Sequence, residues 1–207
     1  MSDVKVTRTT TESQMTVSLD FGPIKKDYRK HIKTTLPFLN HMIEHIAWRS
    51  GINIETEVKL DEFCLTHLIC EDLGMALGKA VAKYVADNTD DGVSGFGDGI
   101  GIIDEAKAQS AISFESRAYF MIDYHGTPME SQTEGMYKED LETFLLGFAQ
   151  GANCTLQIDV YRGENGHHIW EAVFRSLGTC LGHALYKDER RKGMTSGVAG
   201  KITWDVE

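Results

Sequence analysis

Apolar and polar residues alternate at the start of the chain. Val4 and Val6, then Met15, Val17 and Leu19, recur at every second position, the period of a half-buried strand. DFGP, residues 20–23, ends the second strand. After the polar stretch IKKDYRKHIKTT the period becomes helical. Phe38, Met42, Ile43 and Ile46 share one face, Pro37 suits a first helical turn, and Gly51 suits the end. INIETEV alternates as a strand. THLICEDLGMALGKAVAKYVAD places Leu73, Leu77, Val81 and Val85 in one stripe, which predicts a long helix. The glycine-rich NTDDGVSGFGDGIG, residues 88–101, reads as a linker or turn region at the boundary between the halves.

Beyond it, QSAISFES and AYFMIDY read as strands, and the polar ESQTEGMYKED as a loop. LETFLLGFAQGA reads as a helix, CTLQIDVYRG as a strand, and HHIWEAVFRSLGTCLGHALYK as a second long helix. The second half thus repeats the order of the first. His67, Glu71, Leu77 and Gly78 of one long helix match His167, Glu171, Leu177 and Gly178 of the other. Two copies indicate a duplication rather than a solenoid. The expected fold class is α+β, a two-layer α/β sandwich with helices on one face of each sheet. The halves are residues 1–92 and 93–192, packed as one unit, with a tail at 193–207.

A chain of 207 residues, 42% hydrophobic and 25% charged, can bury an ordinary core. Its net charge of -10 argues against a partner with a phosphate backbone, nucleic acid or anionic membrane, yet leaves room for a small anionic substrate. The polar N-terminus has no apolar signal core, and no apolar run reaches the roughly 18–20 residues of a membrane span. Cys64, Cys70, Cys154 and Cys180 form no CxxC pair and lie in apolar segments. They read as free thiols in a reducing cytoplasm.

Chemistry enters with two histidine–glutamate pairs. On a helix, positions i and i+4 share a face, so His67 with Glu71, and His167 with Glu171, can each bind one metal ion. His168 is turned by about 100° and must serve a different ligand sphere. Imidazole with carboxylate suits Mn, Fe, Zn, Co or Ni.

LPFLNHMIEHIA, HLICEDLGMALG, GFGD, IDEA, SRAYF and GENGHHIWEAVFRSLG, in this order, resemble the imidazoleglycerol-phosphate dehydratase family of histidine biosynthesis. The resemblance runs from about residue 4 to 187. It implies a duplicated fold like domain 2 of ribosomal protein S5, and a trimer-based homo-oligomer reaching a 24-mer. It also implies Mn at subunit interfaces and a lyase that removes water from imidazole glycerol phosphate.

The resemblance further implies particular ligands. His41 stands where the family has a ligand histidine, but Asn40 replaces its acidic neighbour and Arg49 replaces a later histidine. Leu68 and Thr143 replace two more ligand histidines, while His167, His168 and Glu171 are intact. Suppose each half pairs its own helix histidine with its own motif, and a neighbouring subunit adds the second motif histidine. One site is then His41, His67, Glu71 and His168, complete. The other, His167 and Glu171 with Leu68 and Thr143, is degraded. One ion per chain is expected, most simply Mn. His45, one turn from His41, could add to a site.

For the phosphate, the resemblance implies Arg117, Arg175 in place of a lysine, and Lys201 of the tail. Gly95 replaces an arginine, and Ala199 a serine for which Ser196 could substitute. Glu12 matches a glutamate suited to acid–base work. His31, His125 and His183 read as incidental. Two other readings stay open: a related single-metal enzyme acting on another small substrate, and a catalytically silent metal-binding oligomer.

Overall fold

The computed structural model describes residues 3–200, 202, 203 and 205. Strands β1 (Val4–Thr9), β2 (Ser13–Asp20) and β3 (Asn53–Leu60) form an antiparallel sheet in that order. The predicted alternation is what buries it: Ser13, Met15, Val17 and Leu19 of β2 all face inward. Helix α1 (Pro37–Ser50) starts on its proline and ends at Gly51, whose φ of 73° is the left-handed conformation a glycine end cap adopts. Helix α2 (Thr66–Asp87) follows β3.

The second sheet runs β4 (Phe96–Ile103), β5 (Ala106–Ser113), β9 (Thr155–Arg162), β6 (Tyr119–Asp123). A two-residue hairpin, β7 (Gln132–Thr133) with β8 (Met136–Tyr137), lies in the segment read as a loop. Helix α3 (Lys138–Ala152) connects it to β9, which pairs in parallel with β6, and α4 (Gly166–Ala184) follows. The same order is present in the first half, where a single parallel bridge from Ile32 to Thr56 stands in the place of β6. No helix among the described residues is long and apolar enough to cross a membrane.

GFGDGIG is neither linker nor turn: all but its first residue lie in β4. Its glycines Gly97, Gly99 and Gly101 share the face toward α4. A Cβ on Gly101 would lie 2.0 Å from the Ala172 carbonyl oxygen, and one on Gly97 2.3 Å from that of Cys180. Strand and helix backbones therefore touch, and glycine is required by contact rather than by a turn.

The helices pair across the halves. α2 lies on the first sheet and packs against α3, while α4 lies on the second sheet and packs against α1. Each two-layer half thus turns its helices toward the other half. Both seams are tight. A Cβ on Gly78 would come 2.1 Å from the Phe148 carbonyl oxygen, and one on Gly178 2.9 Å from the His45 and Ile46 carbonyl oxygens. Phe144, Phe148, Trp170 and Phe174 fill the space between and are fully buried.

Candidate metal centre

The crossed pairing decides which ligands meet. His41 of α1 lies beside His167 and Glu171 of α4, with one donor atom of each within 4.8 Å of the others. The His41 and His167 rings are 5.3 Å apart, and His167 Nε2 is 3.6 Å from Glu171 Oε2. His45, one turn along α1, puts Nε2 3.1 Å from Glu171 Oε1 and 3.3 Å from His41 Nε2.

The expected grouping of His41 with His67 and Glu71 is therefore corrected. It assumed that each half pairs its first helix with its own long helix. α1 instead packs on the long helix of the other half. His67 is near Asp140 of α3 at 3.8 Å, on the other helical seam. The two substitutions divide accordingly. Thr143 belongs to α3, which packs on the α2 helix that carries His67 and Glu71, and the first helix facing His167 and Glu171 keeps its histidine.

Each motif histidine of α4 is held by a carboxylate behind it. His167 Nδ1 donates to Glu134 Oε1 at 3.0 Å, and His168 Nδ1 donates to Glu105 Oε2 at 2.9 Å. Those bonds direct the lone pair of each Nε2 outward, the arrangement used by metal-binding histidines. Asn165 caps α4 by accepting from the His167 N–H at 2.9 Å, which fixes where the pair begins. The Glu105 carboxyl is held down to about 2 by the Asn165 backbone N–H and by the His168 ring, and in return Glu105 raises the His168 pKa. His168, Glu105 and Asp104 form a second cluster of donors. Reading for ligands alone overlooks Glu134 and Glu105. The IDEA segment carries Glu105, but nothing local in the sequence marks Glu134.

Glu171 is 4% exposed, so its charge needs partners. The Arg175 guanidinium bonds Oε1, and its other arm donates to the Ile102 carbonyl at 2.8 Å. Burial, then the charges of His41, Arg175 and Arg49, push His45 down to about 3, so its ring is neutral. Two imidazoles and a carboxylate fit a divalent transition metal, and Oε2 of Glu171 is left free to bind one.

A cavity of about 480 Å³ opens against this cluster, lined by Lys26, Arg29, Arg49 and Arg175 around Tyr28, Glu44, His45 and Trp48. Its size suits a small molecule and its cations suit an anion.

The other predicted residues lie apart. Glu12 is exposed in the β1–β2 turn, next to Ser13, whose Oγ donates to Asp72 of α2 at 2.6 Å. Arg117 precedes β6, and its carbonyl accepts from Thr155 at the start of β9. Arg175 is anchored at Ile102, six residues from the Phe96 end of β4 that registers with Ser113 and Thr155. Arg117 and Arg175 thus stand at opposite ends of the second sheet, roughly 20 Å apart. They do not converge within one chain. Lys201 lies outside the described residues. Ser196 packs on Gly95: an added Cβ there would be 2.2 Å from its Oγ, and the φ of 68° also disfavours a side chain.

Comparison with known proteins agrees with the geometry. A family model described as imidazoleglycerol-phosphate dehydratase matches residues 34–181. Relatives of that name from Burkholderia vietnamiensis and Burkholderia ambifaria are 35% and 34% identical over 203 residues, covering 98% of this chain and all of theirs. The imidazoleglycerol-phosphate dehydratase of Pyrococcus furiosus, solved in complex with (S)-C348, superposes with a TM-score of 0.76 at 29% identity, covering 95% of this chain and 99% of its own. The Staphylococcus aureus structure has the same TM-score at 24% identity, over 90% of this chain and all of its own, and shows the shared fold. With these full-length matches and the doubled histidine–glutamate device on crossed helices, the chain belongs to the imidazoleglycerol-phosphate dehydratase family, the metal-dependent hydro-lyases of histidine biosynthesis.

Proposed function

We propose that this chain dehydrates imidazole glycerol phosphate, using a divalent transition metal, most simply Mn, held between α1 and α4. The convergence of His41, His167 and Glu171 carries the reading. A metal there supplies Lewis acidity toward an imidazole nitrogen, so that charge developing on the carbon beside the ring is drawn into it. The chain's own residues do the rest. Glu134 holds His167 in one tautomer, and Arg175 pairs with Glu171 and orients its carboxylate. Glu12 takes the proton from carbon or returns one to the departing hydroxyl.

In this reading Glu12 and Arg117 are supplied to the centre by another copy in a homo-oligomer. The outer face of the second sheet supports that. Phe96, Ile100, Ile102 and Tyr119 are each more than half exposed there, an apolar area of the kind another subunit covers. In the same reading His168, whose Nδ1 is held by Glu105, serves a neighbour's His67 and Glu71 through Nε2.

The test is turnover. Mn-loaded protein incubated with imidazole glycerol phosphate should yield imidazole acetol phosphate, and Glu171→Gln should reduce the rate by 100-fold or more. Mn-loaded protein that binds the substrate but forms no product would overturn the assignment.

A further inference from the structure

The turn that carries Glu12 is fastened to the helix that carries His67 and Glu71. We propose that Asp72 is the positioning residue for Glu12: it locks the β1–β2 turn onto α2, so that the acid–base group and the α2 donors move as one unit. This rests on the acid–base role given to Glu12 above and adds the residue that sets its place.

The contacts are few and directional. Ser13 Oγ donates to Asp72 Oδ2 at 2.6 Å, and Arg8 Nη1 stands 2.7 Å from the same oxygen. Arg8 lies in β1 and Ser13 begins β2, so Asp72 holds both sides of the turn. Within the turn, Thr10 Oγ1 accepts from the backbone N–H groups of Glu12 and Ser13, each at 3.1 Å. That leaves the Thr10 hydroxyl its own proton for Ser13 Oγ, 3.3 Å away. A carboxylate only accepts, so the bond to Asp72 sets the direction of the whole chain of hydrogen bonds. Ser13 donates to Asp72, Thr10 donates to Ser13, and the lone pairs of Thr10 are left for the Glu12 turn. On the other side, the Glu12 carbonyl accepts from the Asp61 N–H just past β3 at 3.0 Å. The backbone of Glu12 is thus held at both its N–H and its carbonyl. Its side chain is exposed and makes no hydrogen bond or ion pair among the described residues.

Packing alone does not account for this network. Asp72 is the only charged residue among the buried positions of α2, and Ser13 is the only polar one on the buried face of β2. Replacing a buried ionic contact by apolar residues is often neutral or stabilising, so an apolar pair would hold helix to sheet as well. The polar pair adds direction, because it fixes the turn in one place relative to the helix. Asp72 directly follows Glu71 and is turned from it by about 100°. One short stretch of α2 therefore carries a candidate metal donor on one side and the clamp on the other.

Kinetics of the Mn-loaded full-length protein with imidazole glycerol phosphate test this. Asp72→Ala should lower kcat at least tenfold and change KM less than threefold. Ser13→Ala deletes a single hydroxyl and covers the case in which Asp72→Ala fails to fold; it should lower kcat at least threefold. Both changes are then repeated in chains carrying Glu12→Gln, with single-turnover rates compared in the two backgrounds so that slow variants stay measurable. On top of Glu12→Gln, either change should cost less than twofold, because residues that act through one another do not add. A loss caused only by a weakened fold would be the same in both backgrounds. Equal losses in both backgrounds, or full kcat in both single variants, would overturn the role of Asp72 and leave that of Glu12 standing. Full activity in Glu12→Gln would instead remove the acid–base reading, and the proposal with it.

Discussion

Gly178 sets the distance between α1 and α4, so Gly178→Ala should separate the elements that carry the metal cluster. A Cβ at this position would stand 2.8 Å from Arg49 Cβ and 2.9 Å from the carbonyl oxygens of His45 and Ile46. Ordinary contact begins near 3.5 Å, so the helices must part by about half an ångström. Overpacking of this kind costs about 1–3 kcal/mol. Alanine returns about 1 kcal/mol through its better helix propensity. The net result is a loss of roughly 0–2 kcal/mol. Gly182, one turn further along the same helix, is the internal control. Its nearest neighbour would be the Ser50 carbonyl oxygen at 3.4 Å, an ordinary contact. Gly182→Ala should therefore gain about 1 kcal/mol from propensity alone. The two variants should differ by about 1–3 kcal/mol, or roughly 0.5–1.5 M in urea midpoint for a slope near 2 kcal/mol/M. Urea unfolding at one fixed protein concentration measures this. A Gly178→Ala protein as stable as Gly182→Ala would refute the claim that backbone contact sets the α1–α4 seam.

Other outcomes follow from the same structure. Cys64 is exposed, whereas burial raises the pKa of Cys70, Cys154 and Cys180, with Cys154 pushed up to about 12. A thiol reagent should find one fast group in the native chain and four after denaturation. His125 Nε2 meets Asp159 Oδ1 at 2.7 Å, and that bond raises the His125 pKa above its ordinary value near 6.5. Its stabilising effect is complete below that ordinary value and is lost as pH rises through the folded value. An NMR titration should find the raised pKa and its return toward the ordinary value in Asp159→Asn; an unraised value in the native chain contradicts the ion pair. Phe144 is fully buried, facing Phe174 with ring centres 5.8 Å apart, so Phe144→Ala should cost about 3–5 kcal/mol in urea unfolding.

Much of the fold is legible where one periodicity maps to one face. β2 buries every second residue, and α1 begins at Pro37 and ends at Gly51 as its sequence predicts. β4 is misread because Gly97, Gly99 and Gly101 suggest freedom, when their role is to admit α4. A strand whose buried face carries no side chains has no hydrophobic alternation to detect. The site divides in a similar way. The i, i+4 pairs depend on one helix alone, so His167 and Glu171 are visible as a unit. Which first helix faces them depends on the seam between halves, and no local period encodes that. The candidate donors are therefore visible one helix at a time, whereas the structure groups His41 with the pair on α4 rather than the pair on α2. His45, noted only as a neighbour of His41, meets Glu171 on a distant part of the chain.

The central claim is that one metal centre lies between α1 and α4 of a single chain. Anomalous diffraction from crystals grown with Mn tests it directly. The account predicts a peak within bonding distance of His41, His167 and Glu171 of the same chain. A peak joining His41 to His67 and Glu71, with His167 and Glu171 empty, would contradict it.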